Sequence, residues 1–290
     1  MSPRNIAASV RQRLHNRAKE RGEEFQQLLV RYTLERLLFR LCASPYADQF
    51  VLKGAMLFSL WVDLPQRPTR DADFLGFGDA TTGRLATIFA ALAVQSVDVD
   101  DGVQFDIDSV RAEEIRKQGG YPGVRISMRA TLDGARIPVQ CDIGFGDAVT
   151  PSAPLAVLPT LLGLPAPQLR VYPPETVVAE KLEALVKLGA YNSRLKDYFD
   201  LWVLLKHELP DANVLPTAVA ATFARRGTEL PDGVPEGLSA EFAAHKAGQW
   251  LAFLNRQQLL APNLFEVVQF LSQRCTPLLS AARALPVIVS

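Results

Sequence analysis

Residues 53–73 read Lys-Gly-Ala-Met-Leu-Phe-Ser-Leu-Trp-Val-Asp-Leu-Pro-Gln-Arg-Pro-Thr-Arg-Asp-Ala-Asp, and the way this stretch folds decides the fold of the chain. Apolar Phe50, Val51 and Leu52 lead into Lys53-Gly54, the pattern of a strand that turns into a helix. A largely apolar helix over 55–62 is expected next, broken by Pro65 and Pro68. The stretch closes on Asp71 and Asp73. In an extended chain residues two apart share a face, so both carboxylates project together while Ala72 and Phe74 face the other way. Two such carboxylates repel unless a cation or proton lies between them. Magnesium suits the pair, because it takes oxygen ligands and is usually held by one or two carboxylates plus substrate phosphates. Arg67, Thr69 and Arg70 place two cations and a hydroxyl just before the pair, in reach of phosphate oxygens. A lone Asp-x-Asp is most often a solvated turn, so these neighbours carry the reading.

The 290 residues suffice for one large or two modest domains. An apolar fraction of 48% and a charged fraction of 21% are ordinary for a soluble globular protein. Acidic and basic residues balance at 31 each, so no global nucleic-acid signature exists, although local patches can. Cys42, Cys141 and Cys275 lie far apart without Cys-x-x-Cys spacing. That excludes a disulfide framework and a zinc site and fits a reducing cytoplasm. The N-terminus is charged and lacks the apolar core of a secretory signal. Residues 148–169 carry no charge, but Pro151, Pro154, Pro159, Pro165 and Pro167 rule out a membrane helix there. An extended, partly buried connection is expected.

Along the chain, residues 4–21 read as a basic helix with Ile6, Val10, Leu14 and Ala18 as a narrow apolar stripe. Its cations are a solvated face or a contact for an RNA backbone. Residues 23–42 form a helix with a broad apolar face, and another is expected over 81–94. Three alternating runs, 103–111, 123–132 and 135–143, read as strands, the last two joined by the tight turn Asp133-Gly134. Asp142 lies on the polar side of the third run with Gln140. On a strand beside Asp71 and Asp73 it completes a three-carboxylate cluster; otherwise it is an ordinary strand-end aspartate. The five aspartates from Asp98 to Asp108 read as a solvated acidic loop and edge strand. From Pro173-Pro174 the pattern turns helical. Lys181 lies on the flank of the first helix, a position compatible with reaching a cleft, although such a lysine usually extends to solvent. Asp197 and Asp200 share one side of the next, at 194–206. Further helices are expected near 213–225, 239–257 and 263–273. The division expected is 1–172, N-terminal helices plus core, and 173–290, helical.

In this order the pieces resemble the AbiEii-type nucleotidyltransferase toxins, including their mycobacterial MenT-like members, over roughly residues 50–205. Lys53-Gly54-Ala55 followed by Arg67-Pro-Thr69-Arg-Asp71-Ala-Asp73 looks like the first family element. Ala179-Glu180-Lys181-Leu182 looks like the second, and Arg194-Leu-Lys-Asp197-Tyr-Phe-Asp200-Leu like the third. Family members commonly carry Gly-Gly or Gly-Ser where this chain has Gly54-Ala55, so a serine hydroxyl for phosphate is absent.

The resemblance implies an α+β fold: a polymerase-β-like nucleotidyltransferase core with a small mixed sheet, followed by a helical C-terminal region. It implies transfer of a nucleoside monophosphate from an NTP, with release of pyrophosphate, to an RNA acceptor, notably the 3′ end of tRNA, which blocks translation. A cognate antitoxin is the implied partner, and no membrane is. Asp71 and Asp73 would hold Mg²⁺. Asp142 would bind a second ion or act as base for the acceptor hydroxyl. Lys181 would neutralise charge on the departing pyrophosphate. Lys53, Gly54, Arg67 and Thr69 would contact the nucleotide. Asp197 or Asp200 would orient Lys181, touch the nucleotide or form a structural salt bridge. Two other readings stay open: the same chemistry on a protein or small molecule, and a nucleotide-binding module without turnover.

Overall fold

A computed structural model describes residues 5–62, 69–116 and 122–286. Two compact units partition them. The first takes in the chain up to Gly146 and returns for Pro154–Val171; the second takes in Asp147–Ala153 and the chain from Tyr172.

The first unit opens with α1 (Ile6–Arg21), capped by the Asn5 side chain, which accepts from the Ala8 N–H at 3.0 Å. Of its predicted stripe Val10, Leu14 and Ala18 are buried, while Ile6 at the helix start is exposed. Two of its cations are spent locally: Arg13 and Arg17 donate to the carbonyls of Leu162 and Leu161 at 2.7 and 2.8 Å. Helix α2 (Phe25–Cys42) is buried on nearly every side, including Thr33, Glu35, Arg36 and Arg40. Strand β1 (Phe50–Lys53) follows. The helix expected over 55–62 is instead a 3₁₀ turn, Ala55–Leu57, running into a single α-turn, α3 (Phe58–Trp61). Val62 is already extended.

Strand β2 (Ala72–Gly76) and helix α4 (Thr82–Val94) come next, then the long strands β3 (Gln104–Arg116), β4 (Pro122–Leu132) and β5 (Ala135–Phe145). The sheet runs β1-β2-β5-β4-β3, with β2 and β5 parallel and the other neighbours antiparallel. Asp133 and Gly134 both take positive φ, 46° and 75°, the geometry a two-residue hairpin needs. Strand alternation then sorts the residues. Leu52, Phe74, Ile143 and Val124 stand in one row, fully buried, and Phe50 meets Phe74 and Phe89 of α4 edge to face. The opposite face carries charge.

Asp101 corrects the reading of the acidic stretch as wholly solvated. It is 2% exposed and takes a bidentate bond from Arg40, at 2.6 and 3.2 Å, besides capping the Val103 N–H. Removing one partner of such a pair strands a buried charge. Asp101→Ala is therefore expected to lower unfolding free energy by about 3–5 kcal/mol, measurable as a lower denaturant midpoint with unchanged slope. The uncharged connection forms a small antiparallel pair, β6 (Leu155–Val157) with β7 (Gln168–Arg170), and buries Leu158, Leu161 and Leu169.

The second unit is helical: α5 (Pro174–Leu188), α6 (Leu195–Lys206), α7 (Leu215–Arg226), α8 (Ala240–Gln257) and α9 (Leu264–Arg283). Pro174 occupies the first turn of α5, where its missing N–H costs nothing. Helix α9 runs well past the expected end near 273 and carries Pro277 inside it. Arg226 holds α7 to α5 by reaching Glu180 and Glu183, each at 2.9 Å, and Asp147 at 3.4 Å. Tyr198 stacks on Phe242 with ring centroids 5.0 Å apart, and its hydroxyl donates to the Gly237 carbonyl at 2.8 Å. Among the described residues no helix is long and apolar enough to cross a membrane.

Candidate active site

The polar face of the sheet assembles a line of charge from four registers. Lys53 of β1 stands opposite Asp73 of β2, Asp73 beside Asp142 of β5, Asp142 opposite Arg125 of β4, and Arg125 opposite Glu113 of β3. Register partners point to one face, so the five side chains form one row across the sheet. Asp71 stands one residue before β2. Ala72 is buried while Asp71 and Asp73 on either side are partly exposed, the alternation that puts both carboxylates on this face. Their charges reach the same neighbours: Asp71 and Asp73 both help raise the pKa of Arg125 and of the buried Cys141 thiol. For Arg125 the hydrogen bonding it donates to Asp142 is the first cause; for Cys141 it is burial.

Gly54 explains how Asp73 fits. Its φ of 82° and ψ of −157° lie in a region essentially closed to other residues. A Cβ built there would overlap Asp73 Oδ2 and lie 3.1 Å from Asp73 Cβ and Cγ. The backbone at Gly54 therefore forms one wall around this carboxylate. Gly54→Ala is expected to cost about 1–3 kcal/mol and to displace Asp73, measurable as a lower melting temperature. Thr69, expected on phosphate, has its hydroxyl 3.0 Å from both the carbonyl and Oδ1 of Asp71. In this arrangement it orients Asp71. Arg67 lies outside the described residues. Lys53 is buried at the end of β1.

Asp142 has a partner that sequence reasoning missed. Arg125 bonds it through Nε to Oδ1 and Nη2 to Oδ2, both 2.8 Å. Among the described residues no three His, Cys, Asp or Glu side chains gather closely enough to hold a metal ion by themselves. The donor set that fits a hard cation is the Asp71/Asp73 pair, with its remaining positions left to water and substrate phosphates, the usual arrangement for magnesium.

The second unit holds the other group of candidates. Lys181 on α5 does not extend into solvent. Its Nζ lies 2.8 Å from Asp197 Oδ1 and 2.7 Å from Asp200 Oδ2 on α6. The two aspartates, three residues apart, face the same way and are almost fully buried. Arg194 Nε sits 2.6 Å from Asp197 Oδ2, close as a charge contact but not aligned as a hydrogen bond. Both aspartates thus hold the lysine in place between them.

A mixed β1-β2-β5-β4-β3 sheet with acidic side chains from adjacent strands on its polar face, followed by a helical region, is a polymerase-β-like nucleotidyltransferase fold. The sequence profile of the nucleotidyl transferase AbiEii toxin, of type IV toxin–antitoxin systems, matches residues 36–273, and the chain belongs to that family. Among solved structures it is similar to JHP933 from Helicobacter pylori, with TM-score 0.52, 17% identity, and 90% of this chain and 94% of that one covered. It also matches an H. pylori protein described as a "putative nucleotidyltransferase" with TM-score 0.46, 16% identity, and coverage of 91% and 99%. No curated protein matches.

Proposed function

We propose that this toxin transfers a nucleoside monophosphate from an NTP to an RNA acceptor, the 3′ end of tRNA, in the cytoplasm, blocking translation until a cognate antitoxin restrains it. The observation that carries the proposal is the placement of Asp73 beside Asp142 on parallel strands, with Asp71 two residues before Asp73, in a chain of this family. Asp71 and Asp73 would hold Mg²⁺, which when bound would offset the negative charge of the triphosphate. The protein's own part is orientation. Gly54 and Thr69 fix the two carboxylates, and Lys53 sets a cation at the end of the same row. Lys181, held in place by Asp197 and Asp200, supplies the positive charge that pyrophosphate departure demands.

The test is pyrophosphate release by the purified protein with each NTP, with and without deacylated tRNA. Release that requires tRNA supports the proposal. Release with an unrelated acceptor only, or none with any NTP, contradicts it.

A further inference from the structure

The family resemblance makes Asp142 a ligand for a second ion or a base. The geometry points to a different part: we propose that Asp142 is a tether, and that the residue it serves, Arg125, is a positioning residue for the phosphates of the incoming nucleotide. This rests on the nucleotidyltransferase reading and names a contact within that site.

Three observations carry it. First, both Asp142 oxygens are engaged by one guanidinium edge, Nε and Nη2, at 2.8 Å each. A side-on bidentate pair of this kind is strong and directional, and it competes with ion binding at both oxygens. Second, burial is unequal. The Asp142 side chain is 11% exposed and that of Arg125 39%. The acid is the fixed member and the guanidinium the accessible one, the arrangement of an anchor and the group it presents. Third, the bonds to Asp142 use only the Nε–Nη2 edge, so the Nη1 corner is not consumed by them. Gln140, two residues before Asp142 on the same face, adds a further hold. With its amide oxygen turned to the guanidinium it accepts from Nη2 and Nε at 3.2 and 3.3 Å. Arg125 therefore stands in the row with Asp142, Asp73 and Lys53, pinned along one edge. A pinned guanidinium beside a carboxylate pair is suited to bind the phosphates that those carboxylates alone would repel.

The test is a double-mutant cycle on nucleotide affinity, read by titration with a fluorescent non-hydrolysable NTP in Mg²⁺. The variants are Arg125→Ala, Asp142→Ala, the double variant, and Arg125→Lys. Each alanine variant is expected to weaken binding about tenfold or more. The double variant should be no weaker than Arg125→Ala, because a tether without its load contributes nothing. Arg125→Lys, which keeps the charge but loses the fork, should recover only part of the affinity. The Mg²⁺ concentration for half-maximal binding should stay where it is in the parent.

Additive losses overturn the proposal. So does an Asp142→Ala variant that shifts the Mg²⁺ requirement while Arg125→Ala does not, and so does unchanged affinity in Arg125→Ala. Asp142→Asn, which keeps one acceptor oxygen, covers the case in which Asp142→Ala fails to fold. If the parent binds no nucleotide at all, the site reading fails; if it binds and only Arg125→Ala is silent, the tether alone fails.

Discussion

Asp71→Ala is expected to reduce label transfer from NTP to RNA by about 10³-fold or more, the scale seen when a member of a cooperating catalytic set is removed. The fold should survive. Asp71 is partly exposed at the mouth of β2, and its described bond is to the Thr69 hydroxyl beside it. Losing that hydrogen bond costs about 0.5–1.5 kcal/mol. Removing one carboxylate also relieves repulsion with Asp73 and Asp142. Circular dichroism and a melting curve matching the parent, with transfer lost, is the expected combination. Undiminished transfer by a folded Asp71→Ala variant would remove Asp71 from the chemistry.

Lys181→Ala has a second large expected effect, and it has two parts. Turnover should fall by about 10²-fold or more, as for loss of a charge aimed at a developing anion. Stability should fall as well, because Asp197 and Asp200 are almost fully buried and lose the cation that bridges them. Breaking a buried pair typically costs about 3–5 kcal/mol. The two parts separate by measurement. Denaturant titration gives the folded fraction, and turnover per folded molecule gives the chemical part. The Mg²⁺ dependence of nucleotide binding should match the parent, since the carboxylate pair is intact. Parental turnover per folded molecule would leave Lys181 a purely structural cation.

Much of this was legible in the sequence, for identifiable reasons. The alternating runs became β3, β4 and β5 within a few residues, because alternation on a half-buried sheet is a strong signal. The three-residue spacing of Asp197 and Asp200 put them on one face, where both meet Lys181. Other features had weaker signals. Strands β6 and β7 are three residues each, within a proline-rich stretch where no run is long enough to alternate. Helix α9 continues through Pro277, against the usual stop signal, because its face of Leu271, Cys275, Leu279 and Ala282 stays buried beyond it. The burial of Asp101 depends on Arg40, sixty-one residues earlier, and no local pattern announces it.

Arg125 is the instructive omission, because its position was derivable. A two-residue turn at Asp133-Gly134 fixes the hairpin register. Counting seven residues back from Leu132 gives Arg125, and seven forward from Ala135 gives Asp142, and the structure pairs them. The order of the sheet, which sets β5 beside β2 and so brings Asp142 to Asp73, had no such rule behind it.

The most direct measurement is incubation of the purified protein with each labelled NTP, Mg²⁺ and total RNA, followed by sizing of the labelled product. Label from one or more nucleotides on RNA of tRNA length, lost with EDTA and with Asp71→Ala, is the expected result. Label that appears on protein or a small molecule, or persists in EDTA, would contradict the claim that Asp71 and Asp73 hold a metal-bound nucleotide for transfer to RNA.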